Sequence, residues 1–193
     1  MFLFYALPIG LLLGFALGGR ASGLANIKFR WGMLAVAGFA VQVILFSGPV
    51  SERIGDAGPA VYVASTALVL AAVLANLRLP GMALVAIGAA SNLAAILANG
   101  GYMPASHAAA VGPDGTVVYS NTRVIESPAL EPLTDIIVLP DWLPFTNIAS
   151  IGDLLIGAGI AIVIASSMRA ARRPSAQDDD APTKPVLEGN SPG

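Results

Sequence analysis

The sequence predicts an all-α membrane protein, a bundle of five transmembrane helices with a small extracytoplasmic cap, and three observations predict it. The 193-residue chain is 55% hydrophobic and only 11% charged, whereas a soluble domain has roughly 25% charged residues. Five stretches are apolar enough to cross a hydrocarbon core about 30 Å thick, which takes about 20 helical residues. The basic residues of the intervening loops fall almost entirely on alternate sides, as they do in multi-pass proteins.

The five stretches are predicted to be helical because lipid offers no partner for exposed backbone amide and carbonyl groups. The second stretch is the shortest, since its apolar core runs only from Trp31 to Phe46. All five belong to one transmembrane domain over residues 1–170. The predicted helices cover residues 2–19, 31–48, 59–77, 80–98 and 148–168.

The loop charges predict the orientation. Arg53 and Arg123 fall on the side that should face outward, and Arg123 is far from either membrane boundary. Loops rich in Lys and Arg stay in the cytoplasm, so we expect an N-terminus outside and a cytoplasmic C-terminus in a cell-membrane protein. The basic residues of the inner side are Arg20, Lys28, Arg30, Arg78, Arg169, Arg172 and Arg173.

Residues 99–147 are predicted to form the outer cap, and they are acidic overall. Turn residues at 112–115 precede the β-formers of 116–119, which favours a short hairpin. The run from Ile136 to Phe145 is too short to span and contains Trp142, which suits a chain lying along the membrane interface. Residues 171–193 are rich in proline and aspartate, so we expect a disordered cytoplasmic tail.

Gly10, Gly14 and Gly18 recur every four residues on the first predicted helix. This spacing places them on one face, where another helix of the same chain or of a second copy can approach closely. Gln42 and Asn92 are polar groups at membrane depth. They either form hydrogen bonds between helices or line a path for a ligand.

Asp153 is a carboxylate a few residues inside the last predicted helix, which by default marks a functional candidate. There is also a structural alternative. Ser150-Ile151-Gly152-Asp153 has the spacing of a capping box, in which Ser150 and Asp153 satisfy the first free amides of the helix. Both interpretations remain open from the sequence.

Composition excludes several kinds of chemistry. The chain has no cysteine and a single histidine, His107, so we expect no metal centre and no cofactor. It has neither a phosphate-binding Gly-rich loop nor a serine nucleophile elbow. Its formal net charge is -2, and no basic patch is interleaved with aromatic residues, so no nucleic-acid partner is expected.

Several short motifs resemble a bacterial family of membrane proteins, the one known as domain of unknown function family 5317. The resemblance runs over most of residues 1–170 and implies a small multi-pass protein, without implying an activity. Its most specific parts are the Asn-Gly-Gly-x-Met-Pro and Ser-Ile-Gly-Asp segments. The family-like positions are Asn76 to Gly81, Asn92, Asn99, Gly100, Gly101, Met103, Pro104, Asp135, Ser150, Gly152 and Asp153.

A weaker likeness links the chain to lipoprotein signal peptidases, which are membrane aspartic proteases. The segment around Asp135 is similar to the one that holds their first catalytic aspartate. Residues 145–149 are similar to the sequence just before their second one. Here Ser150 stands at that second position, and Asp153 follows about one helical turn later.

We therefore expect a non-enzymatic integral membrane protein, an accessory or assembly component that binds a partner protein or lipid in the bilayer. The first alternative is an intramembrane aspartic hydrolase that uses Asp135 and Asp153. The second is a small transporter with Gln42 and Asn92 on its path, although no repeat or broken-helix pair accompanies them.

Overall fold

The computed structural model describes residues 3–51, 53–105, 122–140 and 148–171. The described part is mainly helical, which confirms the coarse prediction. Short 3-10 segments at Ala21–Asn26, Gly55–Ala57 and Glu131–Leu133 join the longer elements. The helices are α1 (Leu3–Ala16), α2 (Gly32–Leu45), α3 (Gly48–Ser51), α4 (Gly58–Leu74), α5 (Met82–Ala98) and α6 (Ile151–Ala170).

Two helical segments are long and apolar enough to cross a membrane. They are Gly55–Leu74, which joins a 3-10 turn to α4, and Ile151–Ala170, each 20 residues long. At 1.5 Å per residue, 20 residues extend about 30 Å, the thickness of a hydrocarbon core. The helices α1, α2 and α5 are equally apolar but shorter, with 14, 14 and 17 residues.

The long helices pack side by side in the order α2, α4, α5, α6, α1, so α1 and α2 are the edge helices of the row. Gly38 of α2 lies against Ser65 and Val69 of α4. Between α4, α5 and α6, a buried apolar cluster forms from residues contributed by all three. Its buried members are Val73, Met82, Val85, Ala86 and Val163.

The described bounds differ from the predicted helices in ways that local backbone chemistry explains. The predicted helix 31–48 ends at Leu45, and the separate one-turn helix α3 follows. The predicted helix 148–168 begins only at Ile151, because Ile148 and Ala149 form a strand and Ser150 is the N-cap.

The first predicted helix, 2–19, ends at Ala16. Gly18 has φ +74°, and the amides of Gly18 and Gly19 donate to the carbonyls of Phe15 and Gly14, each at 2.8 Å. This is the Schellman arrangement that ends many helices at a left-handed glycine. Gly18 is therefore a helix terminator, and the prediction that it continues the glycine face of α1 is wrong.

The cap contains two short strand pairs. β1 (Met103–Ala105) pairs in parallel with β2 (Thr122–Val124), and β3 (Ile137–Val138) pairs antiparallel with β4 (Ile148–Ala149). The hairpin predicted at 112–119, the interfacial Trp142, His107 and the tail from 172 onward lie outside the described residues.

Candidate functional site

The contact between α5 and α6 is built on two pairs of glycines. A Cβ on Gly159 would lie 2.6 Å from the carbonyl oxygen of Gly81, and one on Gly152 would lie 2.7 Å from that of Gly88. The members of the two pairs are seven residues apart in each helix, and their order shows that the helices run antiparallel. Close approach of the two backbones brings the polar side chains beside Gly152 into direct contact.

A closed hydrogen-bond network lies beside the Gly88–Gly152 contact. The Asn92 Nδ2 donates to Asp153 Oδ1 at 2.8 Å, and Ser150 Oγ donates to Asn92 Oδ1 at 2.9 Å. The Asp153 amide donates to Ser150 Oγ at 3.0 Å, and the Ser150 amide donates to Asp153 Oδ2 at 3.2 Å. Ser150 is fully buried.

These bonds give Asp153 a structural role. Ser150 and Asp153 form a reciprocal capping box at the first turn of α6, as the local spacing indicates. Each carboxylate oxygen of Asp153 accepts one hydrogen bond, one from the cap and one from α5. A carboxylate at a helix N-terminus is also stabilised by the helix dipole.

Asp135 is buried, with 7% of its surface exposed. Its amide donates to the Pro104 carbonyl at 3.0 Å, and it forms an isolated parallel bridge with Ala105 of β1. Ile137 pairs with Ala149 in the β3–β4 ladder. Continuing this register by two residues sets Asp135 opposite Ile151, the first residue of α6.

The surroundings favour the neutral form of Asp135. The pKa of Asp135 is raised from 3.8 to about 7, mainly by burial and further by the charge of Asp153, while the positive amino terminus of the chain lowers it in part. Asp135 and Asp153 therefore influence each other electrostatically, while the carboxylate of Asp153 is held by the hydrogen bonds of the network.

The Asn-Gly-Gly-x-Met-Pro segment closes α5 and starts the cap. Asn99 binds both backbone groups of Ala129, donating to its carbonyl at 2.8 Å and accepting from its amide at 2.9 Å. Gly100 and Gly101 have φ +73° and +87°, and the Gly101 amide bonds to Ile96 at 2.9 Å, which forms a Schellman turn. Met103 and Pro104 are buried beneath the cap.

The family model of the family of unknown function DUF5317 matches residues 26–165. The chain belongs to this family. No curated protein and no solved structure matches the chain.

The match confirms the resemblance that the sequence motifs indicate. In this DUF5317 protein the matched range contains both motif segments and the whole polar network, but α1 precedes it. Gly10 of α1 lies against Ala161 and Ile164, and Gly14 lies against Met168. Both glycines thus contact α6 of the same chain, and α1 runs parallel to α6.

The two polar residues predicted at membrane depth lie in different places. Gln42 donates to Thr66 Oγ1 at 3.2 Å between α2 and α4, whereas Asn92 is at the α5–α6 contact. The structure does not bring them together on one path. Among the described side chains, no three His, Asp or Glu residues are grouped as metal ligands.

A second asparagine, Asn76, holds a loop by hydrogen bonds to its backbone, a role that the sequence analysis does not predict; we call this arrangement an asparagine clamp. Asn76, which is 4% exposed, accepts from the Arg30 amide at 2.8 Å and donates to the carbonyls of Arg30 and Ala72 at 2.8 and 2.7 Å. Asn99 uses the same geometry, with Ala95 in place of Ala72. An asparagine just after each apolar helix is the sequence signal that could have indicated both clamps.

Proposed function

We propose that this DUF5317 protein is a multi-pass integral membrane protein without catalysis of its own, an accessory or assembly component that binds a partner protein or lipid. The observation that carries the proposal is the complete structural use of Asp153. Both of its oxygens accept hydrogen bonds that cap α6 and join it to α5. A carboxylate held in this way stabilises a helix contact and needs no reaction to explain it.

The outward faces of the long helices support membrane embedding. Large apolar side chains are exposed on every one of them, such as Phe15 at 55%, Phe39 at 51% and Ile87 at 56%. Contiguous apolar surface of this kind is rare on soluble monomers. In a bilayer the same side chains meet lipid tails, and the five-helix interpretation with crossings by α1, α2, α4, α5 and α6 accounts for all of them.

The contacts at one end of the row support a cytoplasmic C-terminus. The Arg20 amide donates to the Met168 carbonyl at 2.9 Å, and the Arg30 backbone is clamped by Asn76. The loop between α1 and α2, which carries both arginines, therefore contacts the end of α6, near Arg169, and the loop after α4, near Arg78. Clustering of basic residues at one end favours retention of that end in the cytoplasm.

Reporter fusions test the topology. A reporter after Arg173 is expected to be active in the cytoplasm, and one inserted at Asp114 is expected to be exported. An exported C-terminal reporter would contradict the five-crossing topology.

The accessory role is tested by crosslinking in native membranes, with photoreactive residues placed at exposed positions such as Phe39. A single protein or lipid adduct that persists in Asp153→Asn supports a binding role. Absence of any adduct beyond bulk lipid would count against it.

A second candidate is an intramembrane aspartic hydrolase, favoured by the burial of Asp135 beside the charge of Asp153. A carboxyl with a raised pKa near a second carboxyl is an arrangement used in acid–base hydrolysis. Its substrate would be a lipid-linked or membrane-embedded peptide. The weak likeness to lipoprotein signal peptidases supports the same class.

Hydrolysis is tested by incubating the purified chain with solubilised bacterial membranes and measuring new peptide termini by mass spectrometry. The hydrolase proposal expects new termini that disappear in both Asp135→Asn and Asp153→Asn, with both variants folded. Glu131→Gln, an exposed carboxylate on the same loop, is the matched control and should retain the cleavage. No new termini would leave the accessory role as the function.

A further inference from the structure

The backbone around Asp135 connects two parts of the cap across the N-terminus of α6. On one side, the Asp135 amide bonds to Pro104 and the residue bridges to Ala105. On the other side, Ile137 and Val138 pair with β4, which leads directly into Ser150. Thr134, immediately before, is fully buried. Residues 134–138, here called the latch segment, therefore hold β1 and the start of α6 together.

Ionisation of the Asp135 carboxyl destabilises the contacts of the latch segment with β1 and with the start of α6. Asp135 is buried, and the charge of Asp153 acts on it. Its neighbour Asp153 cannot turn its charge away, because Asn92 and the Ser150 amide each bind one of its oxygens. An ionised carboxylate buried beside a fixed anion is strongly disfavoured, whereas the neutral acid is tolerated.

We propose that Asp135 is a proton-binding site, and that loss of its proton releases the latch segment from β1 and from the first turn of α6. The bound proton stabilises the closed cap. The open cap exposes Asp135 to water, where it ionises readily. One proton is therefore released on opening at pH values between the two pKa values of Asp135, 3.8 in the open cap and about 7 in the closed cap.

Within the described part of the chain, three charged groups bear on Asp135 or share its loop. Asp153 faces it from α6, and the amino terminus of the chain acts on it with the opposite sign. Glu131 is exposed on the same loop. The sequences of β1, which bridges to Asp135, and of α5, which leads into it, contain no titratable residue.

The sign of the pH effect follows from the raised pKa of Asp135 in the closed state. The closed cap is most stable below pH 4, where both states are protonated. It loses stability as pH rises toward 7, and above about pH 7 the loss levels off because both states are ionised. For one proton, the opening constant rises at most about tenfold per pH unit within this window.

Hydrogen exchange of the full chain in detergent micelles measures this opening directly. Peptides covering residues 133–138 are followed from pH 5 to 8, with each rate divided by its intrinsic value at that pH. We expect protection to fall by roughly tenfold per pH unit up to about pH 7 and then to remain constant. Protection that does not change with pH would overturn the proposal.

Two variants assign the effect to Asp135. Asp135→Asn carries a neutral group of the same size, so its protection should be independent of pH, while Glu131→Gln should behave as the parent does. If Asp135→Asn does not fold, Asp153→Asn provides the test. Removing the neighbouring charge should lower the pH above which protection stays constant, here called the levelling point. An unchanged levelling point, or a persistent transition in a folded Asp135→Asn, would contradict the assignment.

Discussion

Asn92 of α5 binds Asp153 of α6 through its side-chain nitrogen at 2.8 Å, while its side-chain oxygen accepts from Ser150 at 2.9 Å. One amide thus serves both members of the capping box. The start of α6 is consequently defined by a neighbouring helix as well as by its own sequence. This couples the position of α5 to the first turn of α6.

Replacing Asn92 by Leu should destabilise the protein by about 1–3 kcal/mol, because Asp153 Oδ1 and the Ser150 hydroxyl lose their partner in a buried site. The measurement is the free energy of unfolding in detergent. Gln42→Leu is the matched control, since its hydrogen bond to Thr66 is longer, at 3.2 Å, and should cost about 0.6 kcal/mol. Equal losses in the two variants would show that the network contributes no more to the free energy of unfolding than the single hydrogen bond of Gln42 does.

The capping box could be predicted from the sequence because its residues are three positions apart, and Ser-x-x-Asp before an apolar run is a local signal. The role of Asn92 could not. Asn92 and Asp153 are 61 residues apart, and no local sequence pattern shows that α5 packs against α6. The helical stretches were predictable for the same reason that the capping box was, since apolar length is also a local property.

Gly152→Ala should destabilise the α5–α6 contact by several kcal/mol, because its Cβ would overlap Asn92 Oδ1 and lie 2.7 Å from the Gly88 carbonyl. Thermal unfolding in detergent measures the loss. Gly32→Ala is the matched control, since a Cβ there meets only Phe29, at 3.6 Å. A Gly152→Ala variant as stable as Gly32→Ala would mean that the two helices readily move apart.

The pairing of these glycines across α5 and α6 could not be predicted from the sequence. Glycines four residues apart on α1 predict close packing, because that spacing is a known packing signal. The seven-residue spacing of Gly81 with Gly88, and of Gly152 with Gly159, becomes informative only once the antiparallel pairing of α5 and α6 is known. The spacing wrongly predicts a packing role for Gly18, because helix termination and helix packing both select glycine.

Asn76→Ala should cost about 2–3 kcal/mol, and Asn99→Ala about 1 kcal/mol, although each removes three hydrogen bonds. The difference follows from burial, because the backbone groups of Arg30 and Ala72 that Asn76 leaves unpaired lie in a more buried site. Unfolding free energies of the two variants provide the comparison. A larger loss for Asn99→Ala would show that the cap contributes more to stability than the Arg30 loop does.

The overall stability should also depend on pH through Asp135. Its pKa rises from 3.8 to about 7 in the folded protein, so the unfolded chain releases this proton first as pH increases. Stability is therefore fully present below pH 4, falls between pH 4 and 7, and stays constant above that. The shift corresponds to a loss on the order of 4 kcal/mol across the window.

Unfolding curves of the parent and of Asp135→Asn, recorded at pH 5 and pH 8, measure this contribution. The parent should be less stable at pH 8, and Asp135→Asn should show a much smaller difference. If both proteins lose the same stability between the two values, another group is responsible, and Asp135 is ionised in the folded state at neutral pH.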